Sequence, residues 1–189
     1  MSVKSMVKEH FANGPISDHF KNYGILKDKN YLNINYDKNI EIRKFSIGDI
    51  DECVSLYKDV FSAKPWNDYW ISNDQVKYYL MELIENPVFE GFVAYENSSL
   101  VAACFGHKRS WWAGKEFFID ELFVVNEMQG NGIGTMLLDY VECNLLIGDC
   151  LRMILVTNMD LPAEEFYLKK GFNINQNRII MAKEIIKTN

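Results

Sequence analysis

Along residues 40–44 apolar and polar side chains alternate, Ile40-Glu41-Ile42-Arg43-Lys44, with the two-residue period of a half-buried strand. The period then lengthens. Ile50, Cys53, Val54 and Tyr57 recur at helical spacing to about Phe61, and Ser46 with Asp49 opens that helix. Pro65-Trp66-Asn67 interrupts it. Ser72-Asn73-Asp74-Gln75 has a capping-box pattern, in which the serine hydroxyl accepts from a free backbone N–H and Gln75 reaches back. It begins a second helix carrying Val76, Tyr79, Leu80, Leu83 and Ile84, which Asn86-Pro87 stops. Residues 89–95 and 100–107 read as a hairpin about Glu96-Asn97-Ser98-Ser99. Trp111-Trp112-Ala113-Gly114 marks a second turn.

Residues 116–125 are nearly all apolar apart from their acids, which predicts a central strand buried on both faces. After Gly134, the side chains of Met136, Leu137, Tyr140, Val141 and Leu145 fall on one helical stripe. Met153-Ile154-Leu155-Val156 is a short buried strand. Pro162 opens a helix with Glu164 and Glu165 at its positive end, and Gly171 closes it as a left-handed cap. Residues 172–174 and 178–182 predict a terminal strand pair. The order β-α-α-β-β-β-α-β-α-β-β describes an α/β (α+β) fold, a mixed sheet with helices on both faces.

Residues 1–39 differ in kind. They are rich in Asn, Lys and Tyr, broken at Gly14-Pro15 and Gly24, with scattered apolar residues from Phe11 to Tyr36. We expect a partly helical N-terminal extension that packs on the domain or on a second subunit, making a homodimer. Residues 40–189 form the single domain, long enough for a full core. Six lysines against four acids give residues 1–39 a charge of +2, and the whole chain is −6, which leaves −8 for the rest. That balance argues against a broad electrostatic nucleic-acid binder and favours small cationic substrates.

Cys53, Cys104, Cys143 and Cys150 show no CxxC spacing and no companion histidine, so no zinc or other metal site is expected. They read as reduced structural thiols of a cytoplasmic protein. No run approaches the roughly 20 apolar residues of a membrane span. The N-terminus lacks the apolar centre of a signal peptide.

The chemistry is concentrated between residues 120 and 135. Asp120 and Glu121 sit on the buried strand, and Gln129-Gly130-Asn131-Gly132-Ile133-Gly134 follows. Glycines let the backbone turn tightly and aim successive N–H groups into one concavity, to which the next helix adds its positive end. A pyrophosphate suits that arrangement. No Gly-Lys-Ser/Thr follows, so it is not a Walker loop, and it does not open a parallel βαβ repeat as a dinucleotide fingerprint would.

The same run resembles the (Arg/Gln)-x-x-Gly-x-(Gly/Ala) signature of the GNAT acetyltransferase superfamily. Phe166-Tyr167-Leu168-Lys169-Lys170-Gly171-Phe172 is similar to that family's final-helix signature. Pro65-Trp66-Asn67 and the Asp120-Glu121 pair resemble members that acetylate small amines, of the aminoglycoside and polyamine type. The resemblance covers about residues 40–186 and implies a mostly antiparallel central sheet. It implies acetyl-CoA as co-substrate, with Leu122, Phe123, Val124 and Val125 along the pantetheine arm. Gln129, Gly130, Asn131, Gly132, Ile133, Gly134 and Thr135 would hold the pyrophosphate, and Asn158 and Phe166 would lie beside the CoA arm. The loop departs from many members in having no Arg or Lys, which leaves backbone amides to bind phosphate and Lys169 or Lys170 for the 3′-phosphate.

Acetyl transfer to an amine needs a base for the ammonium and a proton donor for the departing thiolate. Glu121 is the favoured base and Asp120 the alternative. Strand alternation sends the two side chains to opposite faces unless the sheet bulges there. Tyr167 occupies the position of the family's general acid. The backbone N–H of Leu122 or Phe123 is placed to polarise the thioester carbonyl. His107 reads as a surface residue at a strand end, and Cys104 is not needed as a nucleophile. Trp66, Asp68, Tyr69 and Trp70 fall between the first two helices, where the family builds its substrate wall. Trp111 and Trp112 precede the acid-bearing strand. Aromatic faces with acids suit a cationic amine or amino sugar. A protein N-terminus or lysine as acceptor, and a CoA-binding sensor without catalysis, are the alternatives.

Overall fold

A computed structural model describes residues 39–185; the expected N-terminal extension, up to residue 38, lies outside them. Five strands form one sheet in the order β1 (Ile40–Lys44), β2 (Phe89–Glu96), β3 (Ser99–Trp111), β4 (Gly114–Val124) and β5 (Cys150–Leu155). The first four are antiparallel neighbours, and β5 runs parallel to β4. A parallel neighbour cannot be reached by a tight turn. The connection is α3 (Ile133–Ile147), which crosses one face of the sheet. α1 (Ile50–Ser62) and α2 (Asn73–Ile84) cover the other face, and α4 (Pro162–Lys169) follows β5.

Both faces of the central strands are sealed. Phe92, Val93 and Ala94 on β2, and Ala102, Ala103, Cys104 and Phe105 on β3, have no solvent exposure. Alternate residues serve two cores. Phe92, Ala94, Ala102 and Cys104 pack with Leu137, Leu138 and Val141 of α3. Val93, Ala103 and Phe105 pack with Val54, Tyr57, Val76 and Leu80 of α1 and α2. The helix starts follow the sequence closely. Ser72 Oγ accepts from the Gln75 amide at 3.2 Å, while Gln75 Oε1 accepts from the Ile71 amide at 2.8 Å, one residue earlier than a strict capping box. Asp49, buried before α1, accepts from both Arg43 nitrogens, the Ser46 amide and the Tyr95 hydroxyl, which ties β1 and β2 to the helix entry.

The terminal strand pair does not form. Residues 172–174 and 178–182 have no regular structure, and Ile174, Ile179, Ile180 and Met181 are exposed. Asn175 draws this stretch into local bonds instead, accepting from the Asn177 amide at its side chain and from the Arg178 amide at its carbonyl. Among the described residues the outer edge of β5 stays unpaired. No helix among the described residues is long and apolar enough to cross a membrane.

Candidate active site

The β3–β4 register places both acids. Phe105 faces Glu121 and Gly106 faces Ile119, so Asp120 is an extra residue, a bulge, in β4. One extra residue reverses which face each later side chain meets. Phe117 and Ile119 belong to the α3 core, whereas Phe123, also odd-numbered, belongs to the α1–α2 core. Glu121 therefore turns toward α1 and α2. There its Oε1 accepts from Tyr57 of α1 at 3.3 Å and from Tyr79 of α2 in a short hydrogen bond.

Burial is the main force on the Glu121 carboxyl and pushes it up to about 7. The two tyrosine hydroxyls oppose that by stabilising the carboxylate, and the charges of Asp120 and Asp68 reinforce it. A carboxyl poised near neutrality is suited to accept a proton and release it again. Burial also raises the phenols of Tyr57 and Tyr79, with the Glu121 charge adding to it, so both remain protonated donors.

Asp120 has a different partner. Its Oδ2 lies 2.8 Å from His107 Nδ1, and the imidazole stacks on Phe118 at 5.4 Å between ring centroids. The surface role expected for His107 is thus replaced by a half-buried contact with one of the two acids. Tyr57 and Tyr79 were legible only as helix-face aromatics. The signal was available: a phenol on a buried stripe needs a partner for its hydroxyl.

Beside the acids the sheet opens. Pairing of β4 with β5 ends at Ile119 opposite Leu155, while β4 continues to Val124 bonded only to β3. Residues 120–124 thus border a cleft on the side where β5 has left. Asn158 lies exposed just beyond the end of β5. Val125 continues the β3 pairing through its amide to Val101. A 3-10 turn at Asn126–Met128 leads into the glycine run. Gly130 and Gly132 adopt positive φ, and Gly132 caps α3, whose first amides, from Ile133 through Thr135, have no carbonyl one turn earlier within the helix. Gly134 is helical. A Cβ there would meet the Phe166 ring and Val124 at 3.5 Å, an ordinary packing distance, so α3, α4 and β4 meet at this position. Gln129 uses its side chain structurally, donating to the Val124 carbonyl and to Asn126 Oδ1, both at 3.0 Å. Only its backbone is left for an anion.

Tyr167 on α4 packs between Phe166 and Phe172 and has no hydrogen-bond partner for its hydroxyl among the described residues. Burial raises its phenol, and Cys104 and Glu121 lie near enough to add to the effect. The lysines assigned to the 3′-phosphate are engaged elsewhere. Lys169 pairs with Glu165 and Lys170 with Asp139. All four cysteines are buried and free, and burial pushes each thiol up, that of Cys143 to about 11.

The aromatic wall divides. Trp70 packs at 5.5 and 5.6 Å on Tyr57 and Tyr79, the two tyrosines bonded to Glu121, and its indole N–H is buried without an acceptor among the described residues. Trp66 packs on Phe61 in the same core. Asp68 and Tyr69 are exposed on this connector. Trp111 and Trp112 sit at the β3–β4 hairpin tip, six residues along β3 from Phe105, or ~20 Å at strand rise. Strand length separates them from Trp70, and Trp111 instead carries Arg109 over its ring.

Residues 87–174 match the family model described as an acetyltransferase (GNAT) domain. That stretch contains the acids, the cleft, the glycine turn and α4. Solved structures share the fold. An aminoglycoside N-acetyltransferase in complex with CoA has a TM-score of 0.64 at 14% identity, covering 81% of this chain and 100% of that one. An aminoglycoside acetyltransferase from an uncultured soil metagenomic sample, in complex with sisomicin, has a TM-score of 0.61 at 15% identity over 79% of this chain and 97% of that one. A transcriptional regulator from Bacillus halodurans C-125 has a TM-score of 0.61 at 18% identity over 76% of this chain and 99% of that one. Comparison with curated proteins returned no match. The match to an acetyltransferase (GNAT) domain thus lies on residues 87–174, and the solved structures show the same fold; aminoglycoside acetyltransferases are among them.

Proposed function

We propose that this protein transfers the acetyl group of acetyl-CoA to a primary amine of a small cationic substrate by direct attack. The observation that carries this reading is a half-buried carboxylate, Glu121, pushed up to about 7 at the point where β4 parts from β5. The residues present fit acetyl-CoA. Positive φ at Gly130 and Gly132 and the N-terminus of α3 suit the pyrophosphate, and the open flank of residues 122–125 suits the pantetheine arm.

In this scheme the amine binds beside Trp70, with Trp66, Asp68 and Tyr69 on the same connector. Glu121 removes its ammonium proton. The amine nitrogen then attacks the thioester carbonyl carbon. A C–N bond forms, the C–S bond breaks, and the CoA thiolate takes a proton from the Tyr167 hydroxyl. The unshared hydroxyl of Tyr167 supports that role, and the engagement of Asp120 by His107 favours Glu121 over Asp120 as base. Glu121→Gln and Tyr167→Phe are each expected to lower turnover by roughly 10²–10⁴-fold, the range of a lost acid or base, with CoA affinity little changed. Thiol release across a panel of amines, with calorimetry for CoA, measures both. Near-normal turnover in both variants would remove the assignments. CoA binding with no transfer to any amine would favour the non-catalytic sensor.

A further inference from the structure

We propose that Tyr79 and Tyr57 are positioning residues that fix Glu121 by one oxygen, leaving its other oxygen, Oε2, to take the proton of the amine. This inference rests on Glu121 as the base and specifies how that base is held. Both phenols donate to the same atom, Oε1, from two different helices. Oε2 accepts no hydrogen bond among the described residues, and Glu121 keeps partial solvent exposure. The carboxylate plane is thereby set by α1 and α2, while the β4 bulge sets its backbone. Trp70 packs on both tyrosine rings and limits their movement.

The arrangement also determines when the base is ionised. The charged and titratable groups near Glu121 are Tyr57 of α1, Tyr79 of α2, Asp68 of the connector between them, Asp120 of β4, Cys104 of β3 and Tyr167 of α4. Of these, only the two bonded phenols favour the carboxylate; burial and the two aspartates oppose it. Losing a phenol removes a hydrogen bond to the charged form, so Glu121 protonates at higher pH.

Two measurements separate this proposal from the reading beneath it. The first is a titration of the Glu121 side-chain carboxyl by carbon NMR in the full-length protein, comparing wild type, Tyr57→Phe, Tyr79→Phe and Tyr78→Phe. Tyr78 is exposed on the same helix and serves as the control. Tyr79→Phe is expected to raise the midpoint by about one pH unit, Tyr57→Phe by less, and Tyr78→Phe not at all. The second is the pH–rate profile. Tyr79→Phe is expected to move the acidic limb by the same amount, a fall of about tenfold in turnover below the midpoint, with CoA affinity unchanged. An unmoved carboxyl midpoint in folded Tyr79→Phe overturns the clamp. A shifted midpoint beside an unshifted rate profile keeps the clamp and rejects Glu121 as the base.

Discussion

Burial that holds the Glu121 carboxyl near pH 7 also acts on folding. A carboxyl whose folded pKa lies above its unfolded value binds an extra proton in the native state between the two values. Stability therefore falls as pH rises from the unfolded value of 4.5 to about 7, and the loss is complete above that. Glutamine at this position carries no such dependence. Glu121→Gln is expected to be no more stable than wild type at about pH 4, and to gain on it by about 2–3 kcal/mol by about pH 8. Urea unfolding at the two pH values checks this; a difference between variants that is constant with pH would mean the carboxyl titrates normally. That penalty is tolerable only where a function uses it, which is why the acid itself was legible in the sequence: a carboxylate in an apolar run contradicts its surroundings. Its partners were less so. Tyr57 and Tyr79 satisfy the helical stripes of α1 and α2 as well as any core aromatic, and His107 differs from a surface histidine through its contacts with Asp120 and Phe118, thirteen and eleven residues away.

A strand's parity decides what its side chains can reach, and in β4 it changes at Asp120. Residues 116–125 hold too few polar positions for a slip in alternation to leave a trace, so the pattern predicts the strand without locating its bulge. The two face assignments, Phe117 with α3 and Phe123 with α1–α2, are what reveal it. Gly106 makes the bulge possible. A Cβ there would lie 2.3 Å from the Phe118 carbonyl oxygen and 2.5 Å from the Phe117 ring, and a backbone atom cannot yield as a side-chain tip does. Gly106→Ala is expected to force β3 and β4 apart beside the acids. We expect a loss of about 1–3 kcal/mol in unfolding free energy, the range for overpacking, together with lower turnover and near-normal CoA binding. Full stability and full turnover in this variant would show that the strand pair absorbs the extra carbon. The opposite outcome of sequence pattern and structure occurs at residues 172–182. Their apolar runs have the length of strands, yet a strand needs a partner's backbone, and the Asn175 turn satisfies part of theirs locally.

Charge acts over the whole molecule and would treat the two proposed substrates differently. The chain carries −6, residues 126–135 contain no Lys or Arg, and Lys169 and Lys170 are paired with carboxylates. Under the proposed function, phosphate binding at the glycine turn would rely on amide hydrogen bonds and the α3 end, short-range contacts that release few counterions. A cationic amine, by contrast, approaches an acidic surface whose attraction is screened beyond about 10 Å at 0.1 M salt. Raising salt from about 0.05 to 0.5 M is therefore expected to leave the CoA dissociation constant within about threefold while lowering kcat/KM for a cationic acceptor by about tenfold. Calorimetry and steady-state rates with one active amine measure the pair. A CoA affinity that instead weakens by tenfold or more would place cationic side chains on the phosphates. Deleting residues 1–38, which hold the lysines at 4, 8, 21, 27, 29 and 38, would then show whether that segment supplies them: a flattened salt dependence assigns the role to it, an unchanged one to lysines elsewhere.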